Sequence, residues 1–152
     1  IGDVSIARFP SIFDVFSVGD DIKVVYKGLY ATGYVVTHKE LLGTWEENAE
    51  NFKAGQTVGG IVRSIEKYGV FIELSPNLAG LAEYTSDVKE GDSASVYIKS
   101  INPEKMKIKL AIVDSFPENS EPLPFRYYYE GNHIENWQYS PENSSKIIES
   151  IF

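Results

Sequence analysis

Two aromatic side chains, Tyr68 and Phe71, stand three residues apart in the run KYGVFIEL, directly after Lys67. Flat rings held beside cations suit one kind of chemistry: the rings stack on unpaired nucleic-acid bases, at about 1–3 kcal/mol per base, while the cations meet phosphates. Arg63 lies just upstream, and Lys99, Lys105, Lys107 and Lys109 gather further along the chain. Catalytic chemistry has far less to stand on. His38 and His133 are the only histidines, they lie in different segments, and neither sits in an HExxH spacing. The chain carries no phosphate-cradling GxxxxGK[ST] and no GxSxG nucleophile turn. Acidic pairs such as Glu46-Glu47 and Asp20-Asp21 read as solvated charge. Cysteine is absent, which excludes disulfides, thiolate metal sites and cysteine nucleophiles. The expectation is a protein that is not an enzyme and uses no metal or cofactor.

For the rings and cations to act together, strands must hold them on one face. Side chains alternate along a strand, so Val70, Ile72 and Leu74 are expected on one side and Phe71 and Glu73 on the other. Phe71 then meets solvent, with Tyr68 beside it at the turn before Gly69. Around this pair the middle of the chain reads as five short strands with turn punctuation, the spacing of a small all-β barrel. They are expected at Thr57 to Ile65, Val70 to Leu74, Ala79 to Ala82, Ser93 to Ile101 and Lys107 to Val113. Gly59 and Gly60 offer a bulge or bend in the first, and Asn102-Pro103-Glu104-Lys105 offers a turn between the last two. Val96, Ile98, Ile108 and Leu110 fall on one face of that last pair. Tyr97, Lys99, Lys107 and Lys109 fall on the other.

The net charge of −8 opposes nucleic acid if the chain is taken whole. Its distribution is uneven. Residues 1 to 51 carry 4 basic and 8 acidic groups, residues 52 to 114 carry 8 and 8, and residues 115 to 152 carry 2 and 6. The middle segment is the neutral one, and it holds the lysine cluster.

The runs GQTVGGIVRSIEKYGVFIEL, LAGLAEY, VKEGDSASVYIKSI and KMKIKLAI, in that order, resemble the RNA-binding module named after the first protein of the small ribosomal subunit. The resemblance covers residues 52 to 114 and implies a mainly β chain with a five-stranded oligonucleotide-binding (OB) barrel. It also implies an RNA face, with Tyr68, Phe71, Glu83, Asn102 and Lys107 at the family's contact positions. Glu83 stands where the family has histidine and Asn102 where it has aspartate. Lys67, Arg63, Lys99 and Lys109 complete the expected site as phosphate contacts.

The flanks extend the pattern. FSVGDDIKVVYK parallels VKEGDSASVYIK in placing a Gly-Asp turn before an alternating strand, and repetition of this kind points to tandem modules. HKELLGTWEENA is similar to the stretch that joins adjacent repeats in chains of this family. Residues 1 to 51 are therefore expected to be the closing half of a preceding repeat plus a linking helix, with Trp45 as its packing anchor. An orphan hairpin is marginal alone and should pack on the barrel or on another chain. The start at Ile1 rather than methionine is expected of a segment of a longer protein. Residues 115 to 152 read as a Pro-rich link, FPENSEPLP, then an aromatic hairpin around Gly131-Asn132, then a helix opened by Ser140-Pro141-Glu142. The expected appendage is small and α+β. It looks like the tail of tandem-module proteins from mainly Gram-positive bacteria. The cluster Tyr127, Tyr128, Tyr129, Trp137 and Tyr139 is expected to form a small core there.

The function these readings imply is binding of single-stranded RNA, mRNA in particular, with weak sequence preference and in translation. The expected partners include the ribosomal small subunit and adjacent repeats. The alternative is a protein-interaction or ribosome-docking module degenerate for RNA. No apolar run approaches the 18 or so residues of a spanning helix, and there is no signal peptide. The expected location is the cytoplasm, away from membranes.

Overall fold

The computed structural model describes residues 3–6, 11–31, 33–117, 123–131 and 133–152. Among the described residues ten regular elements of strand or α-helix follow one another: β1 (Val25–Tyr30), β2 (Gly33–Thr37), α1 (Trp45–Ala49), β3 (Thr57–Glu66), β4 (Gly69–Ser75), β5 (Leu78–Ala82), β6 (Ser93–Asn102), β7 (Lys107–Phe116), β8 (Asn136–Gln138) and β9 (Glu149–Ile151). Single 3-10 turns lie at Ile12–Asp14 and Lys39–Leu42. The chain is mainly β.

Strands β3 to β7 close into a barrel in the order β3-β4-β5-β7-β6. All neighbours run antiparallel except β5 and β7, which pair in parallel through Leu81–Lys109 and Ala82–Leu110. The strand starts and ends lie within a few residues of those read from the sequence, because alternation and turn residues agree at each boundary. Val62, Val70, Ile72, Leu78, Val96, Ile98, Ile108 and Leu110 fill the barrel, each almost wholly shielded from water. Closing the sheet leaves these strands no free edges.

Of the bulge or bend expected at Gly59-Gly60, the bulge is not made on the side paired with β6. Pairing of β3 with β6 runs unbroken from Thr57–Tyr97 to Ile61–Ser93. The bulge comes later, between Val62 and Ser64, with Arg63 as the extra residue. Gly60 is needed for closeness instead: a Cβ there would lie 2.8 Å from the Glu73 carbonyl oxygen and 2.5 Å from Ile72 Cγ2.

The linking segment forms as a turn and a short helix. Thr44 and Glu47 cap α1 reciprocally, the Glu47 N–H donating to Thr44 Oγ1 (3.2 Å) and the Thr44 N–H to Glu47 Oε1 (3.0 Å). Trp45 is buried against the barrel core, in the same cluster as Val88 and Tyr139.

The antiparallel hairpin β1–β2 is open on the side that a barrel would seal. Tyr26, Leu29, Tyr34 and Val36, which share that side, are all exposed. Its end is tied to the rest of the protein: Thr37 and His38 are buried, and the His38 and Lys39 N–H groups donate to the Asp3 carbonyl at 2.8 and 3.0 Å, while Lys27 of β1 pairs with the Asp3 carboxylate at 3.0 Å.

The C-terminal appendage departs from expectation. The aromatic run 125–129 is not a strand of a local hairpin; the Tyr128 N–H donates to the Leu41 carbonyl (2.9 Å), and Phe125 and Tyr127 pack edge-on against His38. Asn132, half of the expected turn, lies outside the described residues, as does most of the Pro-rich link (118–122). The helix expected after Ser140 is absent too. Residues 141–146 are turns and bends, and β9 follows, pairing with β8 from Asn136–Ile151 to Gln138–Glu149. The appendage is therefore irregular with a two-stranded β pair. Two hydrogen bonds outweigh the helix signal: the Tyr139 N–H donates to the Ile148 carbonyl (2.8 Å), and the Ile148 N–H to Ser140 Oγ (2.5 Å). The Tyr139 ring enters the barrel core rather than a core of the appendage's own.

Candidate nucleic-acid interface

The outer face of the barrel is built row by row. In one row, pairing runs Ser64–Phe71, Phe71–Leu81, Leu81–Lys109 and Lys109–Ser100, so these five residues follow one another across the strands. Asn102 and Lys107 are partnered near the end of β6 and start of β7. Tyr68 sits in the β3–β4 turn, 69% exposed, and meets half-buried Phe71 edge to face, with ring centroids 6.0 Å apart and planes at 84°. The geometry is one favoured by aromatic pairs. It leaves the Tyr68 ring to solvent. Gly69 lets the turn come this close, since a Cβ there would lie 2.5 Å from the Ala82 carbonyl oxygen.

Lys67, Lys99, Lys107, Lys109 and Asn102 are exposed on this part of the barrel. Lys99 is the extra residue of a bulge between Ile98 and Ser100. Its ammonium lies 3.9 Å from Glu83, whose side chain is 92% exposed. An ion pair this open contributes little. Lys67, Lys105, Lys107 and Lys109 have no carboxylate within ion-pair distance among the described residues.

Arg63 is a correction. It was expected to meet phosphate, but it is buried, with Nε donating to Glu73 Oε2 at 2.6 Å. The same contact explains Glu73, read as solvent-facing and found buried. Burial pushes the Glu73 carboxyl up from its ordinary range, against the pull of Arg63. This pair is part of the structure's interior and not of an open surface.

Sequence reasoning missed two contributors. Leu81 stands between Phe71 and Lys109 in the outer row and extends the apolar platform. The alternation of LAGLA carried that signal. Tyr84 is exposed beside Glu83, and no spacing singles it out. Tyr97 is exposed on β6, on the face where alternation puts it.

No family model matches the chain. Among curated proteins it is 27% identical over 140 residues to small ribosomal subunit protein bS1 of Leuconostoc lactis, a match covering 80% of this chain and 32% of that protein. With the bS1 of Staphylococcus aureus (strain COL) it shares 26% over 141 residues, covering 81% and 36%. These matches span the barrel found here, with its closed order β3-β4-β5-β7-β6. The barrel is an S1-type domain. The chain is also 32% identical over 124 residues to the 4-hydroxy-3-methylbut-2-enyl diphosphate reductase of Fusobacterium nucleatum, covering 78% of this chain but 14% of that protein. The chain thus spans 14–36% of the length of these relatives.

Proposed function

We propose that the S1-type barrel binds single-stranded RNA with weak sequence preference. Bases stack on Tyr68 and Phe71, and Lys67, Lys99, Lys107 and Lys109 meet phosphates, with Asn102 and Glu83 at the rim of the path. The observation that carries this reading is the uncovered Tyr68 ring against Phe71, in a face with several lysines free of carboxylate partners. Rings accept any base, so sequence preference is weak, and the ribose hydroxyl is the RNA-specific contact available. Relatives named as ribosomal small-subunit proteins support a setting in translation, with mRNA and the small subunit as partners, in the cytoplasm. Among the described residues no helix is long and apolar enough to cross a membrane. The function is binding, not catalysis.

The test is a fluorescence-anisotropy titration with oligo(U) and a DNA control. Phe71→Ala is expected to weaken RNA binding about tenfold, the equivalent of one lost stack. Unchanged affinity in that variant would remove this face from the reading.

Residues 1 to 51 belong, on the same proposal, to the closing half of a preceding S1-like repeat with its linker. Two features support the equivalence. Gly19-Asp20 before β1 and Gly91-Asp92 before β6 are matched turns, with φ of +95° and +92° at the glycines. The bulge in β1 falls between Tyr26 and Gly28, and that in β6 between Ile98 and Ser100, the same distance after each Gly-Asp. A second reading, a protein-docking module, is favoured by the bare apolar face of β1–β2 and the net charge of −8. Absence of oligo(U) binding by the wild type would select it.

A further inference from the structure

A groove of about 560 Å³ opens at the far end of the proposed RNA face, between the β6–β7 turn and the C-terminal appendage. Lys105, Lys107 and Lys109 line it, with Asn102 on the barrel side and Asn143 on the appendage side. Glu104 is the one acidic residue in its wall. The protein has 22 acidic side chains against 14 basic ones. Even so, none of these three ammonium groups has a carboxylate within ion-pair distance among the described residues. Three like charges facing one concavity repel one another, and an anion entering it relieves that repulsion.

The wall contributed by the appendage is held in place. The Ser145 N–H donates to the Glu104 carbonyl (3.2 Å) and the Ser144 N–H to the Pro141 carbonyl (3.0 Å), fixing the turn that carries Asn143 against the β6–β7 connection. Tyr139 anchors the same segment, its hydroxyl donating to the Asn77 carbonyl at 2.5 Å. Asn143 therefore presents an amide across from the lysines without needing to be ordered by a ligand. The groove also joins the aromatic face directly. Phe71 precedes Leu81 and Lys109 in one row, a distance of about 10 Å at the usual strand spacing, which single-stranded RNA covers in a few nucleotides.

We propose that this groove is a phosphodiester subsite, formed jointly by the barrel and the appendage, that holds the RNA strand beyond its stacked bases. The inference rests on the RNA-binding reading above and adds to it Lys105 and Asn143, which lie outside the barrel's stacking face. The appendage thereby becomes part of the binding surface and lengthens the strand the protein grips.

The experiment uses the full chain with labelled oligo(U) of 4 and 12 nucleotides. Lys105→Glu is expected to weaken the 12-mer about five- to tenfold while leaving the 4-mer within twofold, and Asn143→Ala to weaken the 12-mer a few-fold. The log–log salt slope for the 12-mer should fall by about 0.7 in Lys105→Ala, one phosphate's worth for a single strand. In ¹⁵N spectra the Asn143 side-chain amide should shift with the 12-mer and not with the 4-mer. If Phe71→Ala weakens both oligonucleotides while Lys105→Glu weakens neither and Asn143 does not shift, the subsite is wrong and the stacking reading stands. Equal weakening of both lengths by Lys105→Glu also overturns the subsite. If the wild type binds neither length, both readings fall.

Discussion

Arg63 and Lys107 carry the same charge on one barrel, yet their substitutions should act on different properties. Arg63 is sealed against Glu73 at 2.6 Å, so Arg63→Ala leaves a buried carboxylate without its partner and is expected to cost about 3–5 kcal/mol of stability. Chemical denaturation measures that loss, and the folded fraction should bind RNA as the wild type does. Lys107→Ala should leave the denaturation midpoint unchanged and weaken binding. The misplacement of Arg63 has a simple origin. Alternation counts residues two at a time, and a bulge at Arg63 adds one that the pattern cannot see. Tyr68, Lys67 and Lys105 stand at turns, and Phe71, Lys107 and Lys109 in unbroken stretches of alternation, so their exposure was legible; Lys99, like Arg63, is the extra residue of a bulge.

His38 makes a second residue-level prediction. Its Nδ1–H donates to the Val4 carbonyl (2.8 Å), so the neutral ring uses Nε2 to accept from the Tyr127 hydroxyl (3.0 Å). Burial among Phe16, Phe125 and Tyr127 lowers its pKa below the ordinary 6.5, although the Val4 contact and nearby Glu40 pull the other way. A histidine depressed in the folded state gives stability that is complete above pH 6.5 and is lost as the pH falls toward its folded value. Glu73, raised by burial, has the opposite sign and gains on acidification. The melting temperature of the wild type should therefore drop between pH 7.5 and 5 by more than that of His38→Gln. Parallel profiles for the two proteins would count against it.

At the scale of elements, the Ser75-Pro76-Asn77 turn does more than connect β4 to β5. Asn77 is buried, its side-chain amide donating to the Lys39 and Gly43 carbonyls (2.9 and 3.0 Å) while its oxygen accepts from the Ile6 N–H (2.9 Å). The Ser5 hydroxyl also donates to the neighbouring Pro76 carbonyl. One side chain thus ties the N-terminal segment, the linker and the barrel. Asn77→Ala strands three backbone groups and is expected to cost about 2–4 kcal/mol, read from a urea titration. Ser-Pro-Asn announces a turn, and the strand boundaries around it follow from that. What the turn is bonded to comes from residues more than thirty positions away, so no local pattern contains it. The appendage shows the same limit. Ser140-Pro141-Glu142 is a sound helix start in isolation, but placing Tyr139 in the barrel core draws the chain into pairing with Ile148 instead.

For the whole molecule, charge sets how binding should respond to conditions. On the proposed RNA reading, an acidic protein engages its ligand through a few lysines, so the attraction is short-ranged and salt removes it. Engagement of two to four phosphates predicts a log–log salt slope of about −1.4 to −2.8, measured by anisotropy across ionic strengths. A flat dependence would mean the lysines do not touch the ligand. The global sign of the charge was readable from composition. The grouping of lysines without carboxylates was only half readable, because Glu83 approaches Lys99 from the loop after β5. Barrel closure itself sets a timetable for folding. The pairs that shut it, Thr57 with Tyr97 and Leu81 with Lys109, join distant points of the chain, and such long loops must be closed before their contacts repay the lost entropy. Refolding should accordingly take milliseconds to seconds, roughly the range of small non-local β domains. Until the last strands meet, the ladder of rings and lysines does not exist, so the ability to hold RNA should appear in one step with the native fluorescence of Trp45.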